Sequence, residues 1–283
     1  MENLSEEDIK IFLKFEKEFE LNQLRYKNQK VWPIIRWAVY DAILSHQNKA
    51  QVAVSSSKIG TNKSFLKKLV KLFVSLVSFY NLPGKTDILL FNYGRVLDFK
   101  TKKDNLLVWS FMEPLEDDYD ITVVDQYNIY PVGSKSVLNI CEILSMTSYI
   151  SQKFKYLSKW GLLENELNKM ILGFYGFKVD LKHIYKNNFI YQRYMGLLSK
   201  LIFLIKKPKI IIYSDTGSFS EVIRRAKTKH IITVDYQHAL QSGQNLLYSH
   251  SSTILDQYSE FLSDYIMTFG KYWNKYFDSN YNV

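Results

Sequence analysis

Residues 208–250 read PKIIIYSDTGSFSEVIRRAKTKHIITVDYQHALQSGQNLLYSH. Lys209–Tyr213 is a short β-branched apolar run, and Ser214-Asp215-Thr216-Gly217 is a polar break. Phe219–Lys227 has helical spacing and a basic end in Arg224, Arg225 and Lys227. His230–Val234 is a second apolar run, followed at once by Asp235-Tyr236-Gln237-His238. Strand, loop, helix and strand in this order predict a right-handed βαβ crossover in a parallel sheet. Ligands of open α/β sheets sit beyond the carboxyl ends of the strands. Asp215 and the pair Gln237-His238 both fall at such ends.

The pattern extends outward from this unit. Upstream, Asp180–Lys207 and Ser151–Leu172 have the spacing of long helices around a Gly173–Gly176 break, and Ser136–Tyr149 also reads as helical. Asp87–Phe91, Leu106–Trp109 and Ile121–Val124 are apolar runs of strand length. Downstream, Ser251–Leu262 reads as a short helix and Asp264–Phe269 as a last strand. Gly270 breaks that strand, and Lys271–Phe277 opens another helix. At the start of the chain, Ser5 followed by Glu6, Glu7 and Asp8 predicts a capped helix over 5–20. A second helix starts at Pro33, a good first-turn position, and runs to about Ser45. The expected fold class is α/β, a Rossmann-like parallel sheet with flanking helices. An N-terminal helical segment (1–80, with a polar linker at 46–63) precedes a sheet domain (81–283).

Composition narrows the function classes. Hydrophobic residues are 47% and charged residues 23% of the 283, enough for a sizeable core. The net charge of +9 suits nucleic acid, anionic lipid or phosphorylated substrates alike. The basic residues are scattered and no familiar nucleic-acid motif occurs, so no nucleic-acid partner is expected. The single cysteine, Cys141, makes neither an internal disulfide nor a cysteine zinc site. The acidic start MENLSEEDIK has no apolar core, and no stretch has the length of a membrane span. The expectation is a cytoplasmic protein.

Ser64–Tyr80 is the most amphipathic segment. Ser64, Lys67, Lys68, Lys71, Ser75 and Ser78 share one helical stripe, and the remainder is Phe, Leu and Val with Tyr80. It reads either as a core helix with a basic outer face or as an interfacial helix on an anionic membrane surface. The second alternative would make the protein peripheral at the inner face of the membrane.

The polar clusters carry the candidate chemistry. His238, just past a strand, has the right group for a general base near neutral pH. His250 is a second imidazole twelve residues on. The two lack metal-ligand spacing, and no metal site is expected. Asp215 could orient an imidazole, bind a hydroxyl or cap the following helix. Asn92 and Arg95 follow the strand Asp87–Phe91, and Arg95 has the fork that clamps a phosphate or carboxylate. Asp118-x-Asp120 lies in an acidic turn before a strand and reads as a solvated loop. Nucleotide-binding glycine motifs and the G-x-S-x-G elbow are absent from the sequence.

Two segments together carry a family resemblance: VDYQHALQSGQNLLYSH (234–250) and SDYIMTFGKYWNKYF (263–277). They resemble the signature region of bacterial capsule and surface-polysaccharide glycosyltransferases of the GT-B fold. That group is similar to the capsular Kdo transferases and, more distantly, to CDP-glycerol glycerophosphotransferases. KVWPIIRWAVYDAI (30–43) also resembles the opening of many such proteins. Gln237 and His238 match the family's Gln-His, and Tyr248 and Ser249 match the start of its Y-S-Y-P segment. Asp264, Tyr265, Phe269, Gly270, Tyr272 and Trp273 match its strand-and-helix signature. Ala239 stands where the family has glycine, and His250 where it has tyrosine.

The resemblance implies transfer of a sugar from a nucleotide-activated donor to a glycan or lipid-linked acceptor. His238 would be catalytic, and Asn92, Arg95, Asp215, Gln237, Tyr248 and His250 would contact substrate. No cofactor is implied, because the nucleotide-sugar is a substrate. The TFGKYW segment lies near the end of the first GT-B domain in that family. The implied coverage is therefore the acceptor-side half, with a partner carrying the donor domain. The alternative is a non-catalytic protein that binds a glycan or a transferase.

Overall fold

The computed structural model describes residues 6–26, 29–47, 73, 84–92, 96–99, 102–105, 114–126, 137–141, 143–144, 160–214, 216–236, 258–268 and 270–276. Helix α1 is Glu6–Glu18, and a two-residue hairpin pairs β1 (Arg25–Tyr26) with β2 (Gln29–Lys30). Helix α2 is Trp32–His46, with Pro33 in its first turn as expected. Strands β3 (Ile88–Phe91), β6 (Ile121–Asp125), β7 (Val137–Asn139), β8 (Ile210–Tyr213), β9 (Ile232–Tyr236) and β10 (Tyr265–Met267) form one parallel sheet. Their order is β10-β9-β8-β3-β6-β7. A separate antiparallel pair joins β4 (Val96–Phe99) to β5 (Lys102–Asn105). The fold is α/β and Rossmann-like, with an N-terminal helical segment.

Four further helices matter. Helix α3 is Trp160–Tyr175. Helix α4 (Leu181–Ile184) is capped by Asp180, whose Oδ1 accepts from the Lys182 N–H (3.0 Å). It runs through a π-helical turn at Tyr185–Phe189 into α5 (Ile190–Lys206). Helix α6 (Thr216–Lys227) connects β8 to β9 and completes the βαβ unit. Helix α5 ends at Lys207, which takes a left-handed conformation (φ 49°) just before Pro208.

The sheet is buried on both faces, which is why its strands read as apolar runs rather than alternating ones. Leu89, Phe91, Val124, Leu138, Ile211 and Tyr213 form one side of a core with Met195, Ile202 and Phe203 of α5 and Phe219, Val222 and Ile223 of α6. Ile88, Leu90, Ile121, Val123, Val137, Ile212 and Val234 form the core of the opposite face. Helices α5 and α6 approach closely because Gly196 has no side chain. A Cβ there would come within 3.0 Å of Glu221 Cβ and Oε2. Gln192 ties the same pair together: its Nε2 donates to the Gly217 carbonyl (2.5 Å), and its Oε1 accepts from the Glu221 N–H (3.2 Å).

The N-terminal helices share a core with later parts of the chain. Phe12, Phe15, Trp32, Ile35 and Tyr40 pack with Trp160, Leu167, Tyr185, Phe189, Phe261 and Ile266 in one aromatic-rich cluster. Inside it, Glu16 is fully buried. It accepts from Arg36 Nε (2.5 Å) and Nη2 (2.8 Å) and from Trp32 Nε1 (2.6 Å). Removing one partner of such a buried pair costs about 3–5 kcal/mol. The Ser220 hydroxyl of α6 donates to the Pro33 carbonyl (3.3 Å), which joins this cluster to the sheet layer.

The structure corrects one element. Val137–Asn139 is a buried strand pairing with Val123–Asp125, where a helix over Ser136–Tyr149 was expected; Cys141, Ile143 and Leu144 of that stretch are helical. The three residues are too few for strand periodicity to show against the apolar residues that follow. The candidate strand Leu106–Trp109, residues 48–63 and, except for Phe73, the segment Ser64–Tyr80 lie outside the described residues. The exposed side chain of Phe73 belongs to that segment.

Candidate functional site

The strand order locates a crevice. From β3 the chain proceeds to β6 and β7 on one side, then crosses to β8 and continues to β9 and β10 on the other. The direction of winding reverses between β3 and β8, and open α/β sheets bind ligands beyond the carboxyl ends of the strands at such a switch point. Strand β3 ends into Asn92 and strand β8 ends into Ser214. Both residues are fully buried.

Asn92 anchors a polar network under the carboxyl ends of β3, β6 and β7. Its backbone N–H continues the ladder to the Val124 carbonyl (3.2 Å). Its Nδ2 donates to Asp125 Oδ1 (2.8 Å), and its Oδ1 accepts from the Gln126 N–H (3.2 Å). Gln126 Nε2 donates in turn to the Asn92 carbonyl (3.0 Å), and the Tyr191 hydroxyl of α5 donates to Gln126 Oε1 (3.1 Å). Asn139 Nδ2 reaches Asp125 Oδ2 (3.5 Å), and Asn139 Oδ1 accepts from the Cys141 N–H (3.2 Å). Asn92, Asp125, Gln126 and Asn139 are all buried. Buried polar groups that satisfy one another in this way fix a local geometry, since leaving any one unpaired is costly.

On the other side of the switch point the Ser214 hydroxyl is buried and has no hydrogen-bond partner among the described residues. The neighbouring Tyr213 hydroxyl shares a hydrogen bond with Ser263 Oγ (2.6 Å). Full burial, with the Asp235 carboxylate nearby, raises the Tyr213 pKa well above its usual value. Tyr213 and Asp235 are register partners on β8 and β9, and Asp235 is itself fully buried.

Of the residues expected to form the site, Asn92 alone is described. Its side chain is buried just past β3 and is committed to Asp125 and Gln126. Arg95, Asp215, Gln237, His238, Tyr248 and His250 lie outside the described residues. Their sequence positions follow the carboxyl ends of three strands. Arg95 comes three residues after Asn92, Asp215 directly after Ser214, and Gln237-His238 directly after Tyr236 of β9. Asp125, Gln126 and Asn139 were missed in the sequence, although each carries the same signal as Asn92: a polar side chain at the end of an apolar run.

The acidic turn Glu116–Asp120 is exposed and lies at the amino end of β6, the opposite end of the sheet. Among the described residues no group of three or more His, Cys, Asp or Glu is placed to hold a metal ion. No helix among them is long and apolar enough to cross a membrane. Compared with family models, curated proteins and solved structures, the chain has no match.

Proposed function

We propose that the chain is a glycosyltransferase, or the acceptor-side portion of one, acting in capsular or surface-polysaccharide biosynthesis. The observation that carries the proposal is the sequence signature after β9. It begins with Gln237-His238, includes Tyr248-Ser249 and continues through Asp264-Tyr265 and Phe269-Gly270 to Tyr272-Trp273. The parallel sheet supports it, because its switch point lies beside Asn92 and Ser214, which Arg95 and Asp215 follow in the sequence. In this reading His238 removes the proton from the attacking acceptor hydroxyl. The anomeric carbon then bonds to that oxygen, and the bond to the nucleotide phosphate breaks. Arg95 balances charge on a phosphate or carboxylate, and Gln237, Asp215, Tyr248 and His250 hold the substrates.

The test is a transfer assay with a panel of nucleotide-sugars and glycan or lipid-linked acceptors, run with and without a partner supplying a donor-binding domain. His238→Ala is expected to lower turnover by about 100-fold or more while leaving the melting temperature unchanged. Full activity in that variant removes His238 as the base. A second reading, a non-catalytic protein that binds a glycan or a transferase, is favoured by Ala239 standing where the family carries glycine. Saturable glycan binding by calorimetry, without turnover of any donor, would establish it.

A further inference from the structure

The chain's positive charge is unevenly placed. Residues 190–232, which contain α5, β8 and α6, hold nine Lys and Arg and two Asp and Glu. The other 240 residues hold the remaining 28 basic and 26 acidic residues, so seven of the nine net charges sit in this stretch. Of its two acids, Glu221 is buried and held by Arg224, with Nη2 to Oε2 at 2.8 Å. From Ile190 to Lys209 there is no carboxylate at all.

The same layer exposes apolar surface. On α5, Leu197, Leu201, Leu204 and Ile205 are 50%, 48%, 51% and 39% exposed. Their spacing of i, i+4, i+7 and i+8 gathers them into one stripe about 100° wide. By the same spacing Arg193 and Lys200 line one edge of the stripe, and Lys207 follows its C-terminal end, with Lys209 beyond it already paired with Asp87 (2.8 Å). Lys200, Lys207 and Lys209 are exposed.

We infer that this face of α5 docks on an anionic lipid surface. Aliphatic side chains edged by Lys200 and Lys207, on a helix that carries no carboxylate of its own, are the composition of a helix lying in a membrane interface. Charge excludes the other occupants. A second copy of the chain would set Lys200 and Lys207 against their own kind, with no carboxylate on the stripe to compensate. A nucleic acid would meet leucines, which neither stack on bases nor bond to phosphates. The surface is distinct from Ser64–Tyr80 and does not depend on the catalytic reading.

Flotation of the full chain with phosphatidylcholine vesicles, and with vesicles carrying about a third phosphatidylglycerol, tests the inference. Binding is expected to the anionic vesicles, with loss at about 0.5 M salt. Leu201→Glu with Leu204→Glu is expected to lower the bound fraction about tenfold. Lys200→Glu with Lys207→Glu changes only exposed charges, leaves the melting temperature intact, and should lower binding at least about fivefold. Equal binding of both double variants and the parent chain overturns the inference. So does equal binding to neutral vesicles, or loss of binding on Lys67→Glu, Lys68→Glu and Lys71→Glu alone. A dimer in sedimentation that Leu201→Glu abolishes, without any vesicle binding, assigns the stripe to a second copy and overturns it too.

Discussion

The two ends of the sheet are built differently. At the amino ends the hydroxyls of Thr86, Thr122 and Thr233 are buried, but the carboxylates of Asp87 and Asp264 reach solvent. Asp87 pairs with the exposed Lys209 (2.8 Å), and its carbonyl accepts from the Lys209 and Ile210 N–H groups. Asp264, half-buried before β10, accepts from the Thr233 N–H (2.9 Å) and hydroxyl (2.8 Å) and pairs with Lys227 (2.9 Å). At the carboxyl ends Asn92, Asp125, Gln126, Asn139, Ser214 and Asp235 are all buried. Water can satisfy the two carboxylates of the first set, whereas the second has to be satisfied by the protein or by whatever the crevice binds. The second arrangement gathers buried carboxylates and amides at the end of the sheet where open α/β folds bind ligands.

The largest test of this contrast is Asn92→Leu. It removes the amide that donates to Asp125 and accepts from Gln126, leaving two buried groups short of a partner. A loss of about 2–4 kcal/mol is expected in urea unfolding, with an unchanged slope. A shift under about 0.5 kcal/mol would make the two ends equivalent.

Asp264→Asn, at the amino end, should cost about 1 kcal/mol, since the side chain is partly open to solvent. Burial alone would raise the Asp264 pKa, but the hydrogen bonds from Lys227 and Thr233 outweigh it and hold the carboxyl below its usual range. A carboxyl depressed in the folded state adds stability above its unfolded pKa and loses it as pH falls through the folded one. The gap between wild type and Asp264→Asn should therefore be full at neutral pH and close below about pH 4, as read from unfolding midpoints.

Lys209→Ala gives the smallest effect. The lysine is largely exposed, and although its partner Asp87 has a lowered pKa from that hydrogen bond, solvent screens the pair. No resolvable change in the midpoint is expected.

Much of the fold was legible because parallel strands buried on both faces appear as unbroken apolar runs. Ile88–Phe91, Ile121–Asp125 and Ile210–Tyr213 fall within a residue of their expected places. Strand β9 starts two residues later than expected. The turn after α6 continues through His230, which takes a left-handed φ of 56° that no apolar count reveals. Val137–Asn139 was hidden by its brevity. The shared core of the N-terminal segment was also hidden, because Phe15 meets Phe174, and Tyr26 meets Trp160 and Phe189, through contacts with no local trace in sequence. The site was legible as positions. Asn92 was found as a polar residue past a strand, but its engagement with Asp125 depends on β3 and β6 being neighbours, which spacing alone does not give.

The placement of β3 also sets an order of events during synthesis. Ile88 is registered with Ile121 on one side and with Ile210, 122 positions later, on the other. The helices α1 and α2 likewise wait for partners between Trp160 and Ile266. Neither the sheet nor the aromatic core can close until most of the chain has left the ribosome. Such long-range pairing slows folding and leaves nascent apolar surface open meanwhile. The nascent chain is thus a natural client for holding factors, and its yield should depend more on elongation rate and temperature than on the stability of the finished molecule.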